Sequence, residues 1–268
     1  MIGMKLWVLY LGNFWFPDKG VITPGIDVGK PWCGPILGWY VEHSDAKIVI
    51  DTGMDPDWRD KWPKELLGAP AGPKLRPEDH IVSRLKEIGV KPDDIDIVIN
   101  THLHTDHAGG NRFFRNATFV VQKDEIRYAY FPDRTTPTPG YARSDFDHPL
   151  RYHGVTGDYE VVKGIKLIRT PGHSPGHQSV VLKLEQTGTV VITGDAVFGR
   201  ENLGPPIILS NVGWLNQPAA LESTERLKHI EELEHGRLFF SHDSKATGDV
   251  LDGTSQWETE FKDKSPFV

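Results

Sequence analysis

Within NTHLHTDHAGG, Asn100 to Gly110, the chain sets His102, His104, Asp106 and His107 directly after the apolar run IDIVI. Imidazoles and carboxylates are costly to bury alone, and a metal ion is a partner that so many within six positions can share. Further along stand His173 in TPGHSPGH, Asp195 in ITGDA and His242 in FSHD. The alternate imidazoles His102 and His104 can chelate one ion together with His173. Asp106 and His107 can serve a neighbouring position completed by His242, and Asp195 is placed to bridge the two. Cys33 is the single cysteine, so a disulfide framework and a multi-cysteine zinc or iron-sulfur site are excluded. Nitrogen and oxygen must hold the metal. Such a set suits zinc best, with manganese, iron or cobalt also compatible.

Two divalent ions can share a water, lower its pKa from about 15.7 toward about 7, and aim the resulting hydroxide at an electrophile whose oxygen one ion polarises. Hydrolysis then needs no side-chain nucleophile. Asp106 and Asp195 are the expected catalytic carboxylates. Two ions, these carboxylates and a hydroxide leave about one positive charge, suited to an anionic tetrahedral intermediate or a substrate carboxylate. Cys33 reads as a small buried filler, and His43, His80, His148, His153, His177, His229 and His235 as surface or hydrogen-bonded core. Trp15, Phe16, Trp32, Trp58 and Trp62 fall in Pro- and Gly-rich segments, where they can pack loops or wall a substrate pocket.

The elements that must position these groups are legible as periodicity. DIVIN, IKLIRT, TVVIT and RLFFS are apolar strands, each leading into one of the candidate ligands, and four deliveries of this kind predict one convergent site at a sheet edge. ILGWYVEHSDAKIVIDTG predicts a hairpin, Ile36 to Glu42 and Lys47 to Asp51. Two helices are predicted: RPEDHIVSRLKEIG, opened by Pro77 and closed by Gly89, and QPAALESTERLKHIEELEHG, with Pro218 early and Gly236 late. Phe131 to Pro149, rich in Pro, Asp and Thr, is expected to cross the surface near the site without supplying core.

At 268 residues the chain suits one domain spanning residues 1–268. Its net charge of -7 opposes nucleic acid as a partner. The apolar start, MIGMKLWVLYLGNFWFPDKG, is interrupted by Gly12 and Asn13 and reads as a core strand and a loop; no stretch is a membrane span. The expectation is a soluble, cytoplasmic protein acting on a small molecule. Its oligomeric state is open, a homodimer included.

The combined pattern resembles the metallo-β-lactamase-fold hydrolases, whose H-x-H-x-D-H signature matches His102 to His107 and whose later His, Asp and His match His173, Asp195 and His242. IVIDTG is similar to the family's strand ending in Asp51, which would support a metal-bound imidazole from behind. The resemblance implies an αββα sandwich, an α/β fold, with two metals at one edge. Glyoxalase II-like members carry a helical domain after the core, which the short stretch beyond His242 disfavours. Secreted metallo-β-lactamases lack the bridging aspartate. Nucleic-acid-processing members add a binding arm not apparent here. The chain is most similar to the N-acyl homoserine lactone lactonases, which implies opening of a lactone ring. Those lactonases place a tyrosine three residues after the bridging aspartate, and this chain has Phe198 there. Another lactone, an aryl ester or a phosphodiester is the alternative substrate, and a non-catalytic metal-binding protein the alternative class.

Overall fold

A computed structural model describes residues 3–61, 71–133, 140–211, 215–243, 251–252, 260–261 and 266–268. The apolar start forms β1 (Met4–Phe16), which pairs antiparallel with β2 (Trp32–His43); β3 (Lys47–Ile50) completes the expected hairpin. α1 (Trp58–Lys61), β4 (Gly72–Lys74) and α2 (Ile81–Glu87) precede β5 (Ile97–Ile99). Then come α3 (Thr105–Ala108), β6 (Thr118–Gln122), α4 (Lys123–Tyr130), α5 (Arg143–Phe146) and β7 (Arg151–Val155). These strands make a seven-stranded sheet in the order β4-β1-β2-β3-β5-β6-β7, parallel from β3 onward.

The second sheet takes β8 (Tyr159–Val162), β9 (Ile165–Arg169), β10 (Gln178–Leu184) and β11 (Gly188–Ile192). After them α6 (Gln217–Leu233) crosses over to β12 (Arg237–Phe239), which lies parallel to β11. The order is β12-β11-β10-β9-β8. Side chains of the two inner faces interlock: Leu6, Val8, Trp39, Ile50 and Ile99 meet Leu167, Val180, Leu182, Ile192 and Phe239. Ile81 and Leu85 of α2 cover the outer face of the first sheet, and Leu227 and Ile230 of α6 that of the second. The result is the expected αββα sandwich, and no helix among the described residues is long and apolar enough to cross a membrane.

Two expectations need correction. The helix opened at Pro77 begins only at Ile81, because the Asp79 carboxylate accepts the Arg76 main-chain N–H at 2.9 Å and its guanidinium at 3.0 Å, curling residues 76–80 into a turn. Phe131 to Pro149 does contribute core, since Phe146 of α5 is buried against Leu103, Ala108 and Val121. Residues 134–139 of that segment and Trp62 lie outside the described residues.

Gly172, just before His173, is where α6 meets the loop after β9. Its φ is +138° and a Cβ there would stand 2.4 Å from the Ala220 Cα, while its carbonyl accepts the N–H groups of Leu215 at 2.9 Å and Asn216 at 3.2 Å. Gly172→Ala should push the first turn of α6 away and lower stability by about 1–3 kcal/mol. An unchanged urea midpoint would contradict this packing.

Candidate metal centre

The loops after β5, β9, β11 and β12 meet at one edge of the sandwich, and the local backbone explains how one short motif serves two positions. His104 is extended and caps α3, whose helical turn starts at Thr105 and swings Asp106 and His107 round to the neighbouring position. His173 Nε2 lies 3.2 Å from His102 Nε2 and 3.0 Å from His104 Nδ1. His242 Nε2 and His107 Nε2 lie 3.7 and 3.5 Å from Asp106 Oδ2. Asp195 divides its oxygens between the groups. Oδ2 is 3.4 Å from His173 and 3.9 Å from His102, whereas Oδ1 is 3.1 Å from His242 and 3.2 Å from His107.

These spacings fit metal ligation. Tetrahedral zinc with bonds of about 2.0–2.1 Å separates its ligand atoms by about 3.3 Å. Among the described residues, three groups bring their donor atoms within 4.8 Å of one another: His102, His104 and His173; His102, His107 and Asp195; and Asp106, His107 and His242. His107 Nε2 and Asp195 Oδ1 are buried yet complete no hydrogen bond, an arrangement a shared cation would relieve.

The surrounding network fixes which nitrogen each ring offers. Asp51, fully buried with φ +53°, accepts the Thr101 N–H and hydroxyl, both at 2.8 Å, and faces His107 Nδ1 at 2.9 Å. The Thr101 hydroxyl hydrogen is thereby committed, so its oxygen accepts from His102 Nδ1 at 3.1 Å. Pro35 O, which can only accept, takes the proton of His242 Nδ1 at 2.8 Å. In all three rings Nε2 is left facing the centre. The family model described as the metallo-beta-lactamase superfamily matches residues 31–242. The chain belongs to this superfamily.

An N-acyl homoserine lactonase of Bacillus thuringiensis is 36% identical over 246 residues, covering 89% of this chain and 93% of the relative. N-acyl homoserine lactonase AttM of Azorhizobium caulinodans is 32% identical over 230 residues, 79% of this chain and 83% of its own. A solved N-acyl homoserine lactone hydrolase, with the product N-hexanoyl-L-homoserine bound at its catalytic metal centre, superposes with a TM-score of 0.80 at 33% identity, covering 91% and 94% of the two chains.

The seven ligands expected of a superfamily member converge, and Asp51 lies behind them. The aromatic candidates divide. Phe198 stacks on His242 at 5.2 Å and meets His173 edge-on at 5.8 Å; Trp32 lies 6.4 Å from His242, and Phe16 packs on Trp32 at 5.8 Å. Trp15 points to the other face of β1 from Phe16, with Lys74 over its ring at 6.0 Å, and Trp58 is buried in the core beside α2. Cys33 is half-buried, and burial pushes its thiol up to about 11.

His177, read from sequence as surface or hydrogen-bonded core, is buried and hydrogen-bonded, and one of its partners is the Asp195 backbone. Thr193 O only accepts, so Ser179 donates to it at 2.8 Å, Thr170 donates to Ser179 at 2.9 Å, and His177 Nδ1 donates to Thr170 at 2.9 Å. The remaining lone pair, on Nε2, accepts the Asp195 main-chain N–H at 2.9 Å. Burial lowers the ring to about 3, which keeps that acceptor unprotonated. Of the two histidines in GHSPGH, His173 faces the other imidazoles of the centre and His177 holds the Asp195 backbone.

Superfamily membership makes the electrostatics of the two groups relevant to metal retention. Burial lowers His104 to about 4, and burial with neighbouring imidazoles holds His102 and His173 well below the usual range, leaving neutral rings. Burial opposes a proton on His107 and His242 too, but the carboxylates of Asp195 and Asp106 outweigh it, and Asp51 adds to the effect on His107; both rings are raised. Burial also opposes charge on Asp195, yet His107, His242 and His173 hold its carboxyl well below the usual carboxylate range. A raised imidazole takes up protons at higher pH, so acid would compete first with a metal held by Asp106, His107 and His242. In protein loaded with two zinc ions, an ion held there should leave, as pH falls from neutrality, before one held by His102, His104 and His173. A zinc-sensitive dye follows the release; loss of both ions in one step, or in the reverse order, would contradict the charge arrangement.

Proposed function

We propose that this chain is a dinuclear metal-dependent hydrolase that opens the ring of N-acyl homoserine lactones. The observation that carries the reading is the carboxylate of Asp195, with one oxygen turned to each ligand group, in a chain whose likeness to lactonases runs through most of its length. His102, His104 and His173 would hold one ion, Asp106, His107 and His242 the other, and Asp195 both. The donor set suits zinc, with manganese, iron or cobalt as substitutes. Bound there, such ions lower the pKa of a shared water and polarise an ester carbonyl.

The chain's own residues supply the rest. Ring opening releases an alkoxide that needs a proton, and Asp106, its side chain 13% exposed against 4% for Asp195, is the more open carboxylate to pass one. Asp195 is held too tightly by imidazoles for that task and acts as a fixed charge. Phe198 and Trp32 each pack on His242 and Phe16 extends from Trp32, apolar surface suited to the hydrocarbon part of a substrate.

Phe198 also favours a second reading, hydrolysis of another lactone, an aryl ester or a phosphodiester. Its ring is held between one histidine of each group and offers no hydroxyl donor, where a polar contact to lactone oxygens would be useful.

Turnover by the metal-replete protein across lactones, aryl esters and bis-aryl phosphates tests both readings. N-acyl homoserine lactones should be turned over fastest. Asp106→Asn should reduce metal affinity or rate by about tenfold or more, and Cys33→Ser should leave the rate intact. Phe198→Tyr should raise lactone turnover, by less than the roughly 2.7–4 kcal/mol of a well-aimed donor because the ring is stacked and buried. If that variant instead loses every lactone while keeping ester or phosphodiester hydrolysis, the second reading replaces the first.

A further inference from the structure

Glu125, in α4, is fully buried and has no solvent to satisfy its carboxylate. Four donors do so instead. Oε1 accepts the Leu103 main-chain N–H at 3.0 Å and the Tyr141 hydroxyl at 2.8 Å; Oε2 accepts the Ser174 hydroxyl at 2.6 Å and the Gly176 main-chain N–H at 3.1 Å. The donors come from three segments that share one property. Leu103 stands between His102 and His104, Ser174 follows His173, and the Tyr141 ring meets His104 edge-on at 4.5 Å. All three imidazoles of one ligand group are therefore flanked or touched by a partner of this one carboxylate. The loop after His173 is also pressed onto α4, for a Cβ at Gly176 would stand 2.1 Å from the Glu125 nitrogen.

The other ligand group is anchored elsewhere: His107 by Asp51, His242 by Pro35 O, and the Asp195 backbone by His177. We propose that Glu125 is a positioning residue that locks the His102–His104 loop against the His173 loop and so sets metal affinity at the three-imidazole position alone. The inference rests on the metal assignment above.

Its chemistry makes an isosteric test possible. Each carboxylate oxygen serves one main-chain N–H, and a main-chain N–H cannot turn round as a hydroxyl can. Glu125→Gln preserves size, but either orientation of the amide sets its NH2 against the N–H of Leu103 or of Gly176, so one of the two loops is released. Tyr141→Phe and Ser174→Ala each remove only a rotatable donor and leave both main-chain donors served.

Competition with a chelator on the zinc-loaded protein should yield two dissociation constants, and His104→Ala and His242→Ala identify which constant belongs to which position. Glu125→Gln is expected to weaken the three-imidazole position by about 10- to 100-fold and to leave the other constant unchanged within error. Tyr141→Phe and Ser174→Ala should weaken the same position by less, and they carry the test if Glu125→Gln does not fold. Equal weakening of both positions, or of neither, would overturn the role of Glu125 while leaving the metal assignment standing. Wild-type protein binding fewer than two zinc ions would overturn that assignment and this inference with it.

Discussion

Gathering Asp51, Asp106 and Asp195 in one place is the constraint around which this molecule is arranged. Asp51 and Asp195 have almost no access to water and the Asp106 side chain is only 13% exposed, and three such carboxylates cannot share a small volume unless positive charge and hydrogen-bond donors are brought to them. In the protein alone the carboxylates of Asp195 and Asp106 raise His107 and His242 against the opposing effect of burial. The same rings direct Nε2 inward, so the nitrogens turned toward the carboxylates are the ones a metal ion would take. Charge balance and ligand geometry are one requirement here, met by one set of side chains.

Precision then comes from groups that never face the centre. Asp51 serves one imidazole of each ligand group, His107 directly and His102 through the Thr101 hydroxyl. It does so from the end of β3, whose partner β5 delivers both histidines, so the two positions are registered by a single strand pair. His177 plays the corresponding part in the second sheet, where a chain of hydroxyls ending on Thr193 O dictates which of its nitrogens is bare. Each anchor is buried and hydrogen-bonded at both ends, and neither can yield without leaving a polar group unsatisfied.

What was legible in the sequence follows from range and chemistry. The candidate ligands could be read because imidazoles and carboxylates at strand ends are rare without cause; periodicity gave short apolar strands and covering helices, and the sandwich itself came from the resemblance to the metallo-β-lactamase-fold hydrolases. The start of α2 was misplaced by the local competition of Asp79 for backbone donors, which propensity and periodicity do not register. Phe146 was missed because four residues of helix are too short to show a period. His177, Tyr141 and Glu125 were illegible for another reason. Their importance lies in partners across the fold, such as Leu103 for Glu125 and Ser179 for Thr170, and no spacing along the chain announces a pairing made in three dimensions.

The aromatic residues show the same division on the substrate side. Phe14, Trp15 and Phe16 are adjacent and compositionally alike, yet strand alternation sends Trp15 one way and its neighbours the other, so Phe16, not Trp15, continues the apolar surface through Trp32 to His242. Phe198 adds to that surface from the second sheet, stacked so that its face, not its edge, covers His242. A phenyl ring there shields the imidazole from water and keeps its surroundings at low dielectric, which strengthens its interaction with Asp195, and it gives up a hydrogen-bond donor in exchange. In the proposed reaction the polar work at this centre would therefore fall to the carboxylates and whatever cations they hold, and the selection of substrate to apolar surface.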